Sequence, residues 1–292
     1  MIHLVVNADD FGLTEGVNEG IADAFKNGII TATSLIATMP AFNHAVEIAK
    51  ENPGLDIGVH LSLTVGEPCL KSSRLSPIVE EGEFIRSYVH VMKSIYANRV
   101  PMEDVKNEMS AQIRKVEETG LRVSHLDSHQ HVHMVPRVLG LVLPLMQEHR
   151  IPFVRIPDGL VGMKPLLTAK GWGLLVLGLI GKVLRGRVVR AKLGTPDYFW
   201  GLSCSEAMSL HDLMHILRSS RPGINELMCH PGYNDSALAC IYDTSSCREQ
   251  ELAALTHPKT LELVRQKGIR LTNYMTLSKH QGQSPQGPAT IH

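Results

Sequence analysis

Segments with the pattern of β-strands alternate with segments of helical periodicity along almost the whole chain. About seven or eight short apolar or β-branched stretches, the first at residues 2–7 and the last at 269–274, are separated by helical stretches, several of which end at Gly or Pro. Such alternation indicates parallel strands joined by right-handed crossover helices. A doubly wound open sheet and a β/α-barrel both satisfy this pattern.

Polar side chains that could carry chemistry fall at or just beyond the carboxyl ends of the predicted strands. A barrel gathers these ends around one mouth, whereas an open sheet concentrates its site at one switch point. Because the polar residues come from five strands spread over the chain, we expect a β/α-barrel, complete or incomplete, that forms a single domain. These residues are Asp9, Asp10, His60, Asp127, His129, Arg155 and His230.

Two segments stand apart from this pattern. Residues 277–292 are rich in Gln, Gly, Ser and Pro, a composition that cannot build a packed core. We therefore expect a barrel domain over residues 1–276 and a disordered tail over 277–292. Residues 163–195 match no motif, and in a barrel enzyme such a region would carry the loops for substrate specificity.

Charge and hydropathy exclude several kinds of partner. The 292-residue chain has 29 basic and 29 acidic residues, so it has no electrostatic footprint for nucleic acid or an anionic membrane. Its most apolar stretch, residues 171–184, is shorter than the roughly 20 residues that span a bilayer. We expect a small molecule as the partner, and a homodimer paired through outer helices as the assembly.

Cysteine usage and the amino terminus indicate the compartment. The five cysteines are odd in number and form no Cys-x-x-Cys pair, which argues against a disulfide framework and against a zinc knuckle. The sequence starts directly with a strand and shows no secretory signal. We expect a cytoplasmic protein.

Two adjacent carboxylates, Asp9 and Asp10, follow the first strand. Two carboxylates side by side raise each other's pKa unless a cation intervenes, and a divalent metal on one would leave the other free as a base. Strand side chains alternate between faces, so both can enter one cavity only if the backbone is irregular there, which Gly12 could supply. The alternative is that one aspartate caps the next helix while the other is solvated.

Two imidazoles and one carboxylate would make a metal site with open positions if Asp10, His60 and His129 meet. A metal lowers the pKa of a bound water to about 7 and polarises a carbonyl oxygen. Asp9 would then act as the general base on that water, and His230, oriented by Asp127, would donate a proton to the departing amine.

Each histidine also has a simpler interpretation. His60 could be a core histidine with one partner. His125 lies inside a strand on the same side as Asp127 and is better suited to orient a neighbour than to bind a metal. His131 and His133 lead into a helix and could be loop or capping residues.

Four sequence blocks together resemble the signature of one family, the YdjC-like (ChbG-type) carbohydrate deacetylases. They occur in the family's order at residues 7–13 (NADDFGL), 58–64 (GVHLSLT), 125–133 (HLDSHQHVH) and 228–233 (MCHPGY). The resemblance implies a β/α-barrel enzyme that removes acetyl groups from N-acetylated amino sugars such as chitooligosaccharides. By motif position it also implies site roles: Asp9 as catalytic base, His230 as catalytic acid, and Asp10, His60 and His129 as metal ligands.

The identity of the metal is open between two expectations. The resemblance implies magnesium, whereas two imidazole ligands suit zinc better, because magnesium prefers oxygen ligands and water. The function is open in the same way. A metal-dependent sugar deacetylase is favoured, with a metal hydrolase on another amide or ester, or a non-catalytic sugar-binding barrel, as the alternatives.

Overall fold

The computed structural model describes residues 1–157, 169–204, 207–241 and 246–281. Ten β-strands are assigned in this part of the chain, and most are short. In chain order they are β1 (Ile2–Phe11), β2 (Ala32–Leu35), β3 (Asp56–Leu61), β4 (Val79–Glu80), β5 (Glu83–Phe84), β6 (Val123–Ser128), β7 (Phe153–Val154), β8 (Tyr198–Trp200), β9 (Gly223–Cys229) and β10 (Ile269–Leu271).

Eleven α-helices are assigned in the same part of the chain, and several of them connect consecutive strands. They are α1 (Glu15–Asn27), α2 (Phe42–Glu51), α3 (Tyr88–Tyr96), α4 (Met102–Glu117), α5 (Pro136–Glu148), α6 (Ala169–Arg190), α7 (Leu210–Ser219), α8 (Ser236–Ile241), α9 (Ser246–Leu255), α10 (Pro258–Gln266) and α11 (Tyr274–Gln281).

The main sheet has eight strands, and all its pairings are parallel. Its order is β7-β6-β3-β2-β1-β9-β8, with β10 beside the first residues of β1. No ladder joins β8 to β7 in the described ranges, although Gly194, just before β8, pairs with Phe153. The predicted β/α-barrel is confirmed in its incomplete form, as a curled parallel sheet surrounded by helices. The hairpin of β4 and β5 forms a separate antiparallel pair.

The first helix is capped at both ends. The side chain of Thr14 accepts a hydrogen bond from the backbone N–H of Val17, and the backbone N–H of Gly28 donates to the carbonyl of Ala24. Satisfying these terminal groups fixes the ends of α1. The loop that leads from the end of β1 into this helix is therefore well defined.

The lower part of the barrel interior is apolar and is closed by the last helix. Val5 packs in one cluster with Ala32 of β2, Phe153 of β7, and Tyr274 and Leu277 of α11. Because strand side chains alternate, residues 7 and 9 of β1 share this interior face with Val5. The interior thus changes from apolar at the bottom to polar at the carboxyl ends of the strands.

Two sequence-based boundaries differ from the structure. The last strand ends at Leu271 rather than at residue 274, and α11 occupies residues 274–281, the first part of the segment expected to be a tail. Apolar contacts of Tyr274 and Leu277 explain the helix, because they bury its inner face in the barrel. The remainder of the expected tail, residues 282–292, lies outside the described residues.

Two further expectations concern membrane-spanning helices and the cysteines. None of the helices in the described ranges is long and apolar enough to cross a membrane. The five cysteines are free thiols, as their odd number and spacing predicted.

Candidate active site

The two adjacent aspartates lie within β1, near its carboxyl end, and both side chains are buried. Asp10 has a φ of 68°, in the left-handed region, and the pairing with β2 shifts register between Ala8 and Phe11. This break in alternation lets both carboxylates enter one site, since Asp tolerates the left-handed conformation better than most residues. The irregularity expected at Gly12 thus begins two residues earlier, although Gly12 also has a positive φ of 93°.

Three predicted metal ligands meet at this position. The Oδ1 atom of Asp10 lies 3.6 Å from Nε2 of His60 and 3.3 Å from Nδ1 of His129. One ligand atom from each of the three residues lies within 4.8 Å of the other two, and all three residues are buried. A carboxylate oxygen facing two imidazole nitrogens suits one divalent cation and leaves further coordination positions open.

Asp127 fixes the orientation of His60. Its Oδ1 atom lies 2.7 Å from Nδ1 of His60, so the other ring nitrogen, Nε2, faces Asp10. Burial alone would lower the pKa of His60, but the charge and hydrogen bond of Asp127, with smaller contributions from Asp9 and Asp10, raise it to about 9. A carboxylate behind a histidine in this way is the usual second partner of a metal-binding imidazole.

The expectation that Asp127 orients His230 is therefore wrong. Both oxygens of Asp127 are engaged elsewhere, Oδ1 by His60 and Oδ2 by Ser34 and Arg155. The backbone N–H of His230 instead donates to Oε2 of Glu251 on α9, at 2.6 Å. His230 follows β9 and is half-buried, so it lies at the carboxyl end of the strand next to β1.

Arg155 is the main cation of the site and is buried just beyond β7. It donates two hydrogen bonds of 2.6 Å to the two oxygens of Asp9, and its Nε donates to Glu226 at 2.6 Å. Nη2 also lies 2.8 Å from Oδ2 of Asp127. These three carboxylates hold the pKa of the guanidinium well above its usual value, although burial opposes this.

The hydrogen bonds of Asp9 distinguish its two oxygens. Oδ1 accepts one bond from Arg155 and a second from Nδ2 of Asn7, whereas Oδ2 accepts a single bond, from Arg155, among the described residues. A carboxylate oxygen has two lone pairs. Oδ2 is therefore the oxygen that retains more acceptor capacity.

A second group of possible ligands overlaps the first but suits a cation less well. Asp9, His60 and Asp127 also lie within 4.8 Å of one another. The guanidinium of Arg155, however, already contacts both carboxylates of this group. Because like charges repel, a metal ion is favoured at Asp10, His60 and His129 instead, where the guanidinium of Arg248 bonds to Oδ2 of Asp10 and Oδ1 faces the imidazoles.

Asp10 has its own cationic partner on the opposite side. Nη2 of Arg248, from α9, donates to Oδ2 of Asp10 at 2.6 Å, so Oδ1 alone faces the imidazoles. Burial favours protonation of Asp10, but Arg248, His129 and His230 together hold its pKa well below the usual range. Asp10 is therefore ionised at neutral pH, as a metal ligand must be.

The remaining histidines of the cluster support neighbours. The Nε2 atom of His125 lies 2.9 Å from the side-chain oxygen of Asn7, and Nε2 of His133 lies 2.9 Å from the carbonyl of Arg155. Burial lowers the pKa of both imidazoles to about 4. They are neutral groups that hold Asn7 and Arg155, and His125 has the orienting role that its position predicted.

Several site residues were not predicted, or not in their observed role. Arg155 had a signal, because it ends a strand, and so did Glu226, a charged residue inside an apolar strand. Asn7 and Ser34 resemble ordinary strand residues, and the sequence of a helix does not reveal which distant residue a side chain will contact. The last group comprises Arg248 and Glu251 of α9.

The segment predicted to carry specificity loops is only partly described. Residues 163–168 lie outside the described residues, and α6 occupies most of the rest. A role of residues 163–195 in substrate specificity stays a prediction.

Comparison with known proteins gives consistent matches over nearly the whole chain. The family described as YdjC-like protein matches residues 3–266. A carbohydrate deacetylase of Geobacillus stearothermophilus is 34% identical over 278 residues, which cover 95% of this chain and 98% of that protein. A carbohydrate deacetylase of Thermoanaerobacter pseudethanolicus is 31% identical over 278 residues, which cover 95% of this chain and 100% of that protein.

A solved structure has the same fold. A protein of Enterococcus faecalis, provisionally described as a cellobiose-phosphate cleavage protein, superposes with a TM-score of 0.74 at 30% sequence identity. The match covers 94% of this chain and 98% of that one.

Proposed function

Since the chain belongs to the YdjC-like protein family, we propose that it is a carbohydrate deacetylase, a hydrolase that cleaves the C–N bond of an N-acetyl group. Its substrates are N-acetylated amino sugars of the chitooligosaccharide type. The names of the relatives support the activity. The observation that carries the proposal is the placement of Asp10 Oδ1 against two imidazole nitrogens, next to an Asp9 held by Arg155.

Asp10, His60 and His129 would hold one divalent cation. When bound, such an ion supplies a Lewis acid that polarises the acetyl carbonyl and makes a water more acidic. Charge balance supports this: with the carboxylates ionised and His60 neutral, as a metal ligand must be, four buried carboxylates face two guanidinium groups, those of Arg155 and Arg248, an excess of two negative charges. The carboxylates are those of Asp9, Asp10, Asp127 and Glu226. Magnesium is the family expectation, and the two imidazoles favour zinc.

Asp9 would be the general base. Its Oδ2 atom takes the proton from the water whose oxygen forms the new bond to the acetyl carbon. Arg155 holds the carboxylate in one orientation through two parallel hydrogen bonds, so the accepting lone pair points in a fixed direction. This fixed geometry supports the base role, because a misplaced proton acceptor loses much of its effect.

His230 would be the general acid. As the C–N bond breaks, the electron pair goes to the sugar nitrogen, and the imidazole donates the proton that makes it an amine. Acetate is the other product. The hydrogen bond from the His230 backbone N–H to Glu251 anchors the residue at the end of β9.

The test is acetate release from N-acetylglucosamine and its β-1,4-linked di- and trisaccharides, measured beside N-acetylated amino acids and simple acetate esters. The proposal predicts release from the sugars alone, lost on chelation and restored by added magnesium or zinc. Release from the non-sugar substrates only would identify a hydrolase for another amide or ester. Sugar binding with no release under any metal would identify a sugar-binding barrel and overturn the proposal.

A further inference from the structure

A cavity of about 570 Å³ lies beside the site, outside the residues assigned above. Its walls come from the segments that follow β1, β2 and β9, which are neighbours in the sheet. They include Leu13 and Thr14, Pro40 and Ala41, and residues 233–237. The carboxyl ends of adjacent parallel strands are where barrel enzymes bind ligands, and the volume is that of an ordinary ligand pocket.

The cavity adjoins the segments that follow Asp10 and His230. Its wall residues Thr14 and Tyr233 follow Asp10 and His230 by only a few positions in the chain. A proton donated by His230 goes to the sugar nitrogen, so the sugar ring lies on the His230 side of Asp10. A further sugar unit linked to that ring would extend toward this cavity.

The cavity is rigid, because its two main walls are bonded together. The backbone N–H of Gly16 donates to Oδ2 of Asp235 at 2.8 Å, and the backbone N–H of Tyr233 donates to the carbonyl of Gly16 at 2.9 Å. A Cβ atom at Gly16 would lie 2.7 Å from that Asp235 oxygen, so only glycine permits this approach. A preformed pocket loses little entropy on binding.

The lining chemistry matches a neutral carbohydrate. The hydroxyl of Tyr233 donates to Asp23 at 2.6 Å, which fixes the ring, while 38% of the side chain stays exposed. Glu15, Glu19 and Asn234 offer acceptors for sugar hydroxyls, and apolar lining comes from Leu13, Pro40 and Ile241. None of the lining residues in the described ranges is a Lys, Arg or His, so an anionic group such as a phosphate has no cation to meet there.

We propose that this cavity is a binding subsite for a neutral sugar unit linked to the N-acetyl sugar that is deacetylated, with the ring of Tyr233 as its platform. The inference rests on the proposed function and adds the position of a second sugar. Aromatic rings present a flat apolar face with a polar end, which suits the apolar face and the hydroxyls of a pyranose.

The experiment compares Tyr233→Ala, Tyr233→Phe and Ala237→Trp with the unaltered protein on mono-, di- and trisaccharides of N-acetylglucosamine. Ala237 is an exposed residue of α8 that lines the cavity, so a tryptophan there occupies the space proposed for the second sugar. Tyr233→Ala and Ala237→Trp should raise KM for the di- and trisaccharides about tenfold, equivalent to about 1.4 kcal/mol, and leave the monosaccharide unchanged. Tyr233→Phe keeps the ring but loses the hydrogen bond to Asp23, and its KM should stay closer to that of the unaltered protein than that of Tyr233→Ala.

A binding measurement separates this inference from the proposed activity. Calorimetric titration of the disaccharide into metal-free protein should show about tenfold weaker binding to Tyr233→Ala than to Tyr233→Phe. If this difference appears while no sugar yields acetate, the deacetylase proposal fails and the subsite stands. If acetate is released but the variants change KM equally for the mono- and disaccharide, or change it for neither, the subsite is overturned and the proposed activity stands.

Discussion

Asp9 and Arg155 are joined by two parallel hydrogen bonds of 2.6 Å, although the residues lie 146 positions apart in the sequence. The same guanidinium contacts Asp127, which orients His60, and Glu226 of β9. One buried cation therefore links the proposed base to the proposed metal site. Substitution of Arg155 should therefore affect both the proposed base and the proposed metal site.

Replacing Arg155 with Lys should reduce kcat by roughly a hundredfold, because an ammonium group cannot donate two parallel hydrogen bonds to Asp9. The positive charge is kept, so metal binding should change much less. Steady-state acetate release and metal content of the purified variant check this. Arg221→Lys, just before the start of β9 and away from the carboxyl ends of the strands, is the control. An Arg155→Lys enzyme with unchanged kcat would show that these two hydrogen bonds do not position the base.

Replacing Asp9 with Asn should reduce kcat about 10²–10⁴-fold while metal stays bound, since a neutral amide cannot take a proton from water. Asp10→Asn should instead lose the metal, because its Oδ1 is the carboxylate oxygen that faces the imidazoles. Metal analysis after dialysis, run beside an activity assay, distinguishes the two. Loss of metal in both variants would remove Asp9 from the base role.

Metal binding should release a proton at pH 7.5. Asp127 raises the pKa of His60 to about 9 against the opposing effect of burial, so the metal-free imidazole is protonated, whereas a metal ligand must be neutral. Affinity should therefore rise about tenfold per pH unit up to about pH 9. Calorimetry in buffers of different ionisation enthalpy counts the proton, and a buffer-independent heat would contradict the assignment.

The raised pKa of His60 also makes the stability of the metal-free protein depend on pH. Because the folded pKa of His60 lies above its unfolded value of about 6.5, the stabilisation is complete below that value. It is lost as the pH rises through about 9. Asp127→Asn removes the charge that raises the pKa and should flatten this part of the pH profile of unfolding, measured in urea with chelator present.

Because of the buried carboxyl group of Asp56, at the start of β3, the folded protein should be less stable at neutral pH than at pH 4. Burial raises its pKa to about 6 against several hydrogen bonds, including one from the backbone N–H of Met275 on α11. The folded pKa exceeds the unfolded value of about 3.9, so stability falls as the pH rises from 4 through 6, by at most about 3 kcal/mol. Asp56→Asn should be the more stable protein at pH 7.5 but not at pH 4. Equal pH dependence in the two proteins would refute this.

Glu251 should act as a positioning residue for His230. It is 2% exposed and accepts hydrogen bonds from the backbone N–H groups of His230 and Met208. Glu251→Gln keeps one acceptor oxygen and should lower kcat about tenfold, with a shifted acidic or basic limb of the pH–rate profile and unchanged metal content. Glu251→Ala should also unfold more easily, because buried N–H groups lose their partner. A lower stability with an unaltered pH profile would indicate a structural role only.

Local patterns predicted the architecture and the main site residues. Periodicity alternates over short windows, so the first strand could be located, and polar residues at strand ends marked Asp9, Asp10, His60 and His129 as neighbours. The residue-by-residue roles remain predictions. What the sequence could not provide were the pairings between distant positions, such as Arg248 with Asp10, 238 residues apart.

The failed expectations have the same origin. The sequence places both Asp127 and His230 at strand ends but does not show the register of the strands, and the register of β6 against β3 places Asp127 beside His60. The tail boundary was drawn from composition, and α11 extends past it because Tyr274 and Leu277 find an apolar interior that no local window displays.

The most direct test is to titrate metal-depleted protein with magnesium or zinc while measuring acetate release from the N-acetylglucosamine disaccharide. The account predicts no release without metal, a rise to a plateau at one ion per chain, and no recovery in His129→Ala at the same ion concentrations. Full acetate release from chelated protein, or equal recovery in His129→Ala, would contradict a reaction centred on Asp10, His60 and His129.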